Sequence, residues 1–190
     1  MPPRPDEKRR EQLLDELEAI MLAEGFAHLR IGSLAERLHC SRSTLYKLAP
    51  SKDELFESVY ARWADRIVAE AIAFAEQGST PAEKIVRMGK VAGRLQAKGS
   101  PEFWRDVRDN PTTAAVMGRT RAIGYRRVQA FLDEGIAAGT VRPMNTAFIG
   151  YLVWAGAVAS RDPDLMIEYG ITTDEAVELI GELVARGTAV

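Results

Sequence analysis

Length, composition and charge exclude several classes of protein before any motif is considered. The chain of 190 residues is 46% hydrophobic and 27% charged, an ordinary globular composition that excludes a disordered protein. A net charge of -2 excludes a wholly basic nucleic-acid-binding protein but permits a local basic surface. The single cysteine, Cys40, allows no disulfide within the chain. The N-terminus lacks the apolar run of a signal peptide, and the most apolar stretch, Ala147 to Ala159, is too short to cross a bilayer, so we expect a cytoplasmic protein with no membrane partner.

Periodicity predicts a long first helix from Asp6 to Glu24. Apolar side chains such as Leu13, Leu17 and Met21 recur there at helical spacing. Gly25 follows as a helix stop, because glycine accepts the left-handed backbone that commonly ends a helix.

Two short helices follow and meet at a tight turn. Ser33 and Glu36 have the spacing of a capping box, which predicts a second helix that ends near His39. Ser41 is a favourable N-cap for a third helix, and Pro50 ends that helix because proline disfavours helical geometry in the residue before it.

The rest of the sequence repeats this pattern of a capping residue or proline before an apolar helical stripe. It predicts six further helices, from Ser51 to Gly78, Thr80 to Gly99, Ser100 to Asn110, Pro111 to about Gly139, Pro143 to Ser160 and Thr172 to Arg186. We find no strand-like alternation, so the predicted fold is all-α with about nine helices.

The third predicted helix carries little to bury. Only Leu45 and Leu48 can anchor it, and a helix this short needs packing against its neighbours to be stable. Its other side chains are hydrogen-bonding or cationic. Between Ala27 and Lys52 the sequence has five lysines and arginines against Glu36 alone, which indicates a contact with a polyanion or, alternatively, a solvated charged face.

This succession of helix, tight turn and polar helix is the form that a helix-turn-helix uses to enter the major groove of DNA. Hydroxyl and ammonium groups can reach phosphate oxygens, whereas Arg42 can also read guanine edges in a bidentate way. Lys52 falls in the first turn of the fourth helix, where free amides and the helix dipole favour a phosphate. The predicted contacts to double-stranded DNA are Arg30, Ser41, Arg42, Ser43, Thr44, Tyr46, Lys47 and Lys52.

In this region the sequence resembles the TetR family of bacterial transcription regulators. The resemblance is carried, in order and spacing, by Gly25-Phe26, Leu34-Ala35-Glu36-Arg37, Ser41, Thr44-Leu45-Tyr46 and Ser51-Lys52-Asp53-Glu54-Leu55, and it covers about the first 60 residues. It implies a three-helix DNA-binding domain over residues 1–50, in which the third helix reads the major groove and Thr44, Tyr46 and Lys52 touch the DNA backbone. It also implies a helical ligand-binding and dimerisation domain over residues 51–190.

Three positions depart from the family's usual pattern. His39 replaces the usual glycine at the turn, and histidine is strained there if the backbone has positive φ. Ala49 stands where the family usually has a phenylalanine anchor, and Arg30 stands where the family usually caps the second helix with threonine or serine. We expect these changes to affect how the domain docks on DNA.

Mostly aromatic and apolar side chains after residue 60 are the candidate lining of a ligand cavity. They are Trp63, Ile67, Met88, Phe103, Trp104, Met117, Arg121, Tyr125, Tyr151 and Trp154. Aromatic side chains at helical spacing are also typical of a plain core. Arg121 interrupts an apolar stripe on the seventh helix, where it could bind an anionic group of a ligand, pair with a carboxylate or extend past the edge of the stripe.

The last two predicted helices indicate a homodimer. The eighth contains AFIGYLVWAGAVA, which is apolar nearly all round and therefore requires burial on more than one side. A two-fold four-helix bundle would bury these helices from both copies. The predicted interface residues are Gly150, Ala157, Val177, Ile180 and Val184. Alternatively, the two helices form the core of a monomer.

Catalytic motifs are absent from the sequence. We find no HExxH, CxxC, GxSxG or P-loop motif and no recognisable pair of acid and base, so we expect no enzyme, no metal site and no cofactor. The predicted function is a dimeric DNA-binding transcriptional regulator, a repressor that a small apolar or amphipathic ligand releases from a palindromic operator. The alternative is a helical ligand carrier or interaction protein that no longer binds DNA.

Overall fold

The computed structural model describes residues 5–160 and 162–190 of the chain. Every regular element in those ranges is a helix, so the predicted all-α fold is confirmed. The ten helices are α1 Pro5–Glu24, α2 Ile31–Arg37, α3 Arg42–Leu48, α4 Lys52–Ala75, α5 Pro81–Gln96, α6 Pro101–Asp109, α7 Pro111–Ala137, α8 Thr146–Ala159, α9 Pro163–Tyr169 and α10 Thr173–Thr188. Among these described helices, none combines the length and the apolar composition needed to cross a bilayer.

The helices form two compact units. The first comprises the residues up to Asp65 together with Lys98–Gly118, and the second comprises Arg66–Ala97 and Arg119–Val190. Helices α4 and α7 each contribute residues to both units, and α6 belongs to the first. The predicted boundary at residue 50 separates a DNA-binding function from a ligand-binding function and stays a prediction.

Hydroxyl side chains cap several helices where the sequence predicted helix starts. Ser41 accepts a hydrogen bond from the backbone N–H of Thr44 at 3.0 Å, as an N-cap does. The same geometry is found at Ser51 before α4, Thr80 before α5, Ser100 before α6 and Thr172 before α10. At Thr172 the capping is reciprocal, because the Glu175 carboxylate accepts the backbone N–H of Thr172.

The predicted capping box of the second helix is wrong. Helix α2 begins at Ile31, so that Ser33 lies inside it. The first hydrogen bond of the helix runs from the N–H of Leu34 to the C=O of Arg30, at 3.0 Å. Arg30 is therefore the N-cap, and its side chain makes no capping hydrogen bond. Burial of Leu34 and Ala35, rather than a capping side chain, stabilises this helix.

Two elements near the C-terminus differ from the prediction. Helix α8 begins at Thr146 rather than at Pro143, because the side chain of Asn145 caps it by accepting the N–H of Phe148 at 3.0 Å. Helix α9, Pro163–Tyr169, was not predicted. With 7 residues it contains too few turns for a helical period to be recognised.

Helices α1, α4 and α6 supply the core of the first unit. Leu17 of α1, Phe56 of α4 and Phe103 of α6 are almost completely inaccessible to solvent. Phe26, just after α1, packs against Phe56 with ring centroids 4.9 Å apart. This core supports the two short helices α2 and α3, which could not be stable alone.

Arg62 joins α4 to α1 within the first unit. Its guanidinium lies 2.7 Å from Asp15, 3.0 Å from Glu11 and 3.4 Å from Glu18. Burial alone would lower the pKa of Arg62, but the hydrogen bond to Asp15 and the charges of the three carboxylates raise that pKa above its ordinary value. The network holds the part of α4 around Arg62 against α1.

Helices α5 and α10 approach closely in the second unit because glycine removes the side chain at the contact. A Cβ atom on Gly181 of α10 would lie 2.0 Å from Cγ2 of Val86 on α5. A Cβ atom on Gly89 of α5 would lie 2.8 Å from Cγ1 of Val177 on α10. A larger residue at either glycine would therefore push the two helices apart.

Candidate nucleic-acid interface

The turn between α2 and α3 has the tight form that the sequence predicted. His39 has a φ of +48°, in the left-handed region that favours glycine. The N–H of Cys40 donates to the C=O of Ala35 at 2.9 Å, and the Arg9 guanidinium donates to the C=O of Leu38 at 3.2 Å. These bonds hold His39 in the strained conformation and fix where α3 begins.

Cys40 follows the turn and is half-buried. Burial raises the pKa of its thiol; the Arg9 charge opposes that rise, and the Glu16 charge adds to it. The group is therefore a neutral thiol near pH 7 rather than a reactive thiolate.

Helix α3 is anchored by few side chains and exposes the others. Leu45 is 1% exposed, and Ala49, at the C-cap, is 7% exposed. The residues predicted to contact DNA lie mostly on the outer side: Arg42, Ser43, Tyr46 and Lys47 are exposed, and we call these four residues the recognition surface. Ser41 is also exposed, but its hydroxyl is bonded to the Thr44 N–H and lies 2.9 Å from the Thr44 hydroxyl.

Cations remain available around the recognition surface. Among the described residues, Arg30, Arg42 and Lys47 are exposed and form no ion pair, whereas Arg37 is bound to Glu24 at 2.5 Å. The Arg42 guanidinium lies over Gly32, where a Cβ atom would be 2.8 Å from Nη2. Arg42 is thereby placed beside the first turn of α2, in the same region as Arg30.

Lys52 has a partner within the protein. Its Nζ donates to the C=O of Ala27 at 2.7 Å and lies 5.7 Å from the ring centroid of Phe56. The side chain is half-buried, so Lys52 is less accessible than the cations of α3. Its assignment as a phosphate contact stays a prediction.

Four of the ten candidate ligand-binding residues lie in the first unit. Trp63 and Phe103 are buried there, and their rings meet edge to face at 5.5 Å. Trp104 packs against both of these rings, and Met117 is half-buried. The space beside Trp63 and Phe103 holds no cavity large enough for a water molecule, so these two side chains act as core.

The other six candidates lie in the second unit and differ widely in exposure. Ile67 and Met88 are buried, whereas Arg121 and Tyr151 are on the surface. Tyr125 is half-buried and lies 6.3 Å from Tyr151 between ring centroids. Helical spacing indicates a stripe but not the direction that the stripe faces. The assignment of Arg121 and Tyr151 to a ligand site stays a prediction.

Trp154 is the remaining candidate in the second unit. Its six-membered ring occupies the space above Gly124, where a Cβ atom would lie 2.4 Å from the ring. The absence of a side chain at Gly124 therefore lets α7 and α8 pack around Trp154, which makes its contact with α7 structural.

An open groove on the second unit was not predicted. It has a volume of about 570 Å³ and is lined by Phe74, Ala82, Glu83, Val86, Arg87, Lys90, Glu178, Gly181, Glu182 and Ala185. The Arg87 guanidinium lies 5.0 Å from the centroid of the Phe74 ring, and Lys90 pairs with Glu178. The sequence carried no signal for this groove, since its walls come from α4, α5 and α10.

The residues predicted for the dimer interface are mostly buried in the single chain. Ala157, Val177 and Val184 are 8%, 4% and 6% exposed in the single chain. Gly150 lies against α7, where a Cβ atom would be 3.0 Å from the carbonyl oxygen of Tyr125. Ile180 is half-buried beside Gly156. These residues pack mainly within the second unit, and their assignment to a dimer interface stays a prediction.

Other apolar side chains on α8 and α10 are exposed instead. The exposed fractions are 58% for Phe148, 56% for Tyr151, 48% for Leu152, 50% for Leu179 and 72% for Leu183. We call these five residues the apolar surface. Helical spacing places the first three on one face of α8 and the last two on one face of α10.

Sequence comparison identifies repressors as relatives. No family model matches the sequence. The HTH-type transcriptional repressor KstR of Mycobacterium tuberculosis is 32% identical over 127 residues, which cover 67% of this chain and 53% of the relative. KstR of Mycolicibacterium smegmatis is 33% identical over 90 residues, which cover 47% of this chain and 44% of the relative. The chain spans about half the length of the curated relatives that it matches.

Solved structures match nearly the whole chain at low sequence identity. A protein from Saccharomonospora viridis, assigned as a transcriptional regulator and solved in complex with choline, has a TM-score of 0.78 at 16% identity, and the match covers 96% of this chain and 98% of that one. A protein from Rhodococcus sp., assigned as a TetR-family regulator, has a TM-score of 0.71 at 16% identity, with 96% and 99% covered. These similar proteins are regulators rather than enzymes, in agreement with the expectation for this chain. The predicted resemblance is confirmed, and the chain has the fold of the TetR family of transcriptional regulators.

Proposed function

We propose that the protein is a DNA-binding transcriptional repressor whose α3 enters the major groove. One observation carries the proposal: α3 buries Leu45 and presents Arg42, Tyr46 and Lys47 to solvent. A short helix that is held by its neighbours and carries a polar outer face has the form of a recognition helix. The similarity to the repressor KstR supports this function.

The repressor acts as a homodimer on a palindromic operator. The apolar surface supports this proposal, because large exposed apolar side chains on a surface of a monomer mark an interaction site. A second copy is the partner that suits it, since a two-fold axis brings the same apolar faces of α8 and α10 together. Two α3 helices related by that axis would require half-sites about 34 to 36 Å apart.

A small apolar or amphipathic ligand releases the repressor from its operator. The groove of the second unit supports this proposal, because it sets the apolar side chains of Ala82 and Val86 beside the cations of Arg87 and Lys90. The choline complex of the Saccharomonospora viridis protein supports ligand binding by this fold. Linkage requires that operator DNA lower the protein's affinity for the ligand by the same factor by which the ligand lowers its affinity for DNA. Calorimetric titration of a ligand found by thermal-shift screening would reject the proposal if its affinity were the same with and without operator.

Fluorescence anisotropy with DNA from upstream of the protein's own gene tests DNA binding. Arg42→Ala should cost about 1 to 3 kcal/mol on the specific site and less on random DNA, because a bidentate contact to a base edge is lost. Lys47→Ala should weaken both complexes similarly and reduce the slope of log K against log salt concentration by about 1, because a phosphate contact is lost.

Arg108→Ala is the matched control, since Arg108 is an exposed arginine on α6 outside the recognition surface. It should bind both DNAs as the wild type does. Equal losses for Arg42→Ala on specific and random DNA would contradict base reading. A wild-type protein that binds no DNA would favour the alternative of a helical ligand carrier.

A further inference from the structure

Asp106 of α6 binds the segment that joins α1 to α2. Its Oδ2 accepts the backbone N–H of Phe26 at 2.5 Å and that of Ala27 at 2.8 Å. These two amides lie outside the helices, so they need a partner other than a helical carbonyl. A carboxylate that accepts both forms two charge-assisted hydrogen bonds, which are stronger than bonds between neutral groups. Asp106 therefore fixes the path of the chain just before α2.

Lys52 holds the same segment from the other side. Its Nζ donates to the C=O of Ala27 at 2.7 Å. The peptide groups of Ala27 are thus bound through the N–H by α6 and through the C=O by α4. Lys52 is also the first residue of α4, directly after the helix-turn-helix, so both bonds act next to the recognition surface.

Close packing at Gly25 brings α6 to this segment. Gly25 has a φ of +76°, and a Cβ atom there would lie 2.6 Å from Oδ2 of Asp106 and 3.1 Å from the carbonyl carbon of Glu102. The N–H of Ser100, which caps α6, donates to the C=O of Leu22 in the last turn of α1 at 2.8 Å. Helix α6 therefore makes backbone and side-chain contacts to the chain that leads into α2.

We propose that Asp106 is a positioning residue for DNA recognition: by holding the amides of Phe26 and Ala27, it sets the orientation of α2 and α3. The inference rests on the proposed function of α3. Helix α2 begins at Ile31, so only a short connection separates it from the held segment. A change in the path of that connection moves α2 and, through the tight turn, moves α3. Asp106 thus controls DNA affinity from α6 by acting on the backbone that positions α3.

The test compares Asp106→Ala with Asp109→Ala, which removes the same charge from an exposed position on the same helix. In Asp106→Ala the amide hydrogens of Phe26 and Ala27 should exchange about tenfold faster or more in NMR, because their acceptor is lost. The Kd for the operator should rise about tenfold, because the DNA-binding orientation is less populated. Asp109→Ala should change neither quantity.

Asp106→Asn provides the rescue that separates positioning from general loss of structure. The amide oxygen of asparagine can still accept the two N–H groups, but without the negative charge. Its exchange rates and its Kd should therefore lie between those of the wild type and Asp106→Ala. The melting temperature of each variant reports separately on the stability of the fold.

Wild-type exchange rates at Phe26 and Ala27 in Asp106→Ala would overturn the proposal. Faster exchange together with unchanged operator affinity would also overturn it, because the segment would then be held without consequence for recognition. If Asp106→Ala does not fold, the graded response of Asp106→Asn against Asp109→Asn decides the question in the same way. If the wild-type protein binds no DNA, the proposed function is wrong. The exchange rates would still show whether Asp106 holds the segment of Phe26 and Ala27.

Discussion

The recognition surface of α3 and the apolar surface of α8 and α10 are both exposed in the single chain, but their chemistry is opposite. On α3 the outward groups are the guanidinium of Arg42, the phenol of Tyr46 and the ammonium of Lys47. On α10 they include the aliphatic side chains of Leu179 and Leu183. Polar groups keep favourable hydration when no partner is bound, whereas apolar area exposed to water costs about 25 cal/mol per Å².

This difference indicates that the two surfaces meet different kinds of partner. The recognition surface can remain hydrated and bind DNA reversibly, with an affinity that depends on salt. Burial of the apolar surface would be favourable at all times, and the proposed second copy of the chain would bury it. Under the proposed function, DNA binding is conditional and dimerisation is permanent.

Leu183→Asp would disrupt the apolar surface, and we expect it to have the largest effect of the variants considered. Leu183 is 72% exposed, so the chain should still fold, but a carboxylate would be buried in the dimer interface. We expect a monomer at micromolar concentration in light scattering. Loss of the second DNA-binding unit should weaken operator binding by about 10² to 10⁴.

Val190→Asp is the control for this variant. Val190 is 88% exposed and apolar, but it lies at the C-terminus outside the apolar surface. It should leave the molecular mass in solution and the operator affinity unchanged. A dimer in Leu183→Asp, or a monomer in the wild type, would contradict the assigned role of the apolar surface.

His39→Gly tests the turn that leads into the recognition surface, because it should relieve backbone strain there. His39 has a φ of +48°, which costs an L-residue energy that glycine avoids. After allowance for the greater freedom of glycine in the unfolded chain, stability should rise by about 0.5 to 1 kcal/mol in urea denaturation. His28→Gly is the control, since His28 is exposed and lacks positive φ. An equal or larger gain in His28→Gly would show that the backbone of His39 is not strained.

Thr172→Ala acts at the start of α10 and should have the smallest effect. The backbone N–H of Thr172, and then its hydroxyl, lower the pKa of Glu175. Because the folded-state pKa is lowered, Glu175 stabilises the protein above its unfolded-state pKa, and this contribution is lost as the pH falls through the folded-state pKa. Thr172→Ala should raise the pKa of Glu175 toward its ordinary value in an NMR titration, whereas Thr172→Ser should keep it low. An unchanged pKa in Thr172→Ala would contradict the capping geometry.

Much of the local structure could be predicted because its causes lie close together in sequence. Ser41 caps α3 through Thr44, three residues away, and both residue types are visible in the sequence. The contrast between Leu45 and the polar residues around it predicted which side of α3 is exposed. Strain at His39 was expected only if its backbone had positive φ, because the resembled family usually has glycine there, and the φ of +48° meets that condition.

The inner and outer faces of α8 could not be predicted in this way. The helix is apolar nearly all round, so its hydrophobic pattern does not distinguish Ala157, which is buried, from Phe148, which is exposed. The distinction arises from close packing, as at Gly150, where the backbone of α7 leaves no room for a side chain. For this reason the predicted interface residues fell largely in the core of the second unit.

The local sequence therefore specified nine of the ten described helices, most of their caps and the polar character of α3, since each depends on residues within a few positions of one another. The tertiary structure alone decided that α6 belongs with the first unit, that Lys52 binds Ala27 and that Asp106 binds Phe26. The last of these contacts joins residues 80 positions apart. No local pattern can encode such a contact, because a carboxylate finds distant amides only after the helices that carry them have packed.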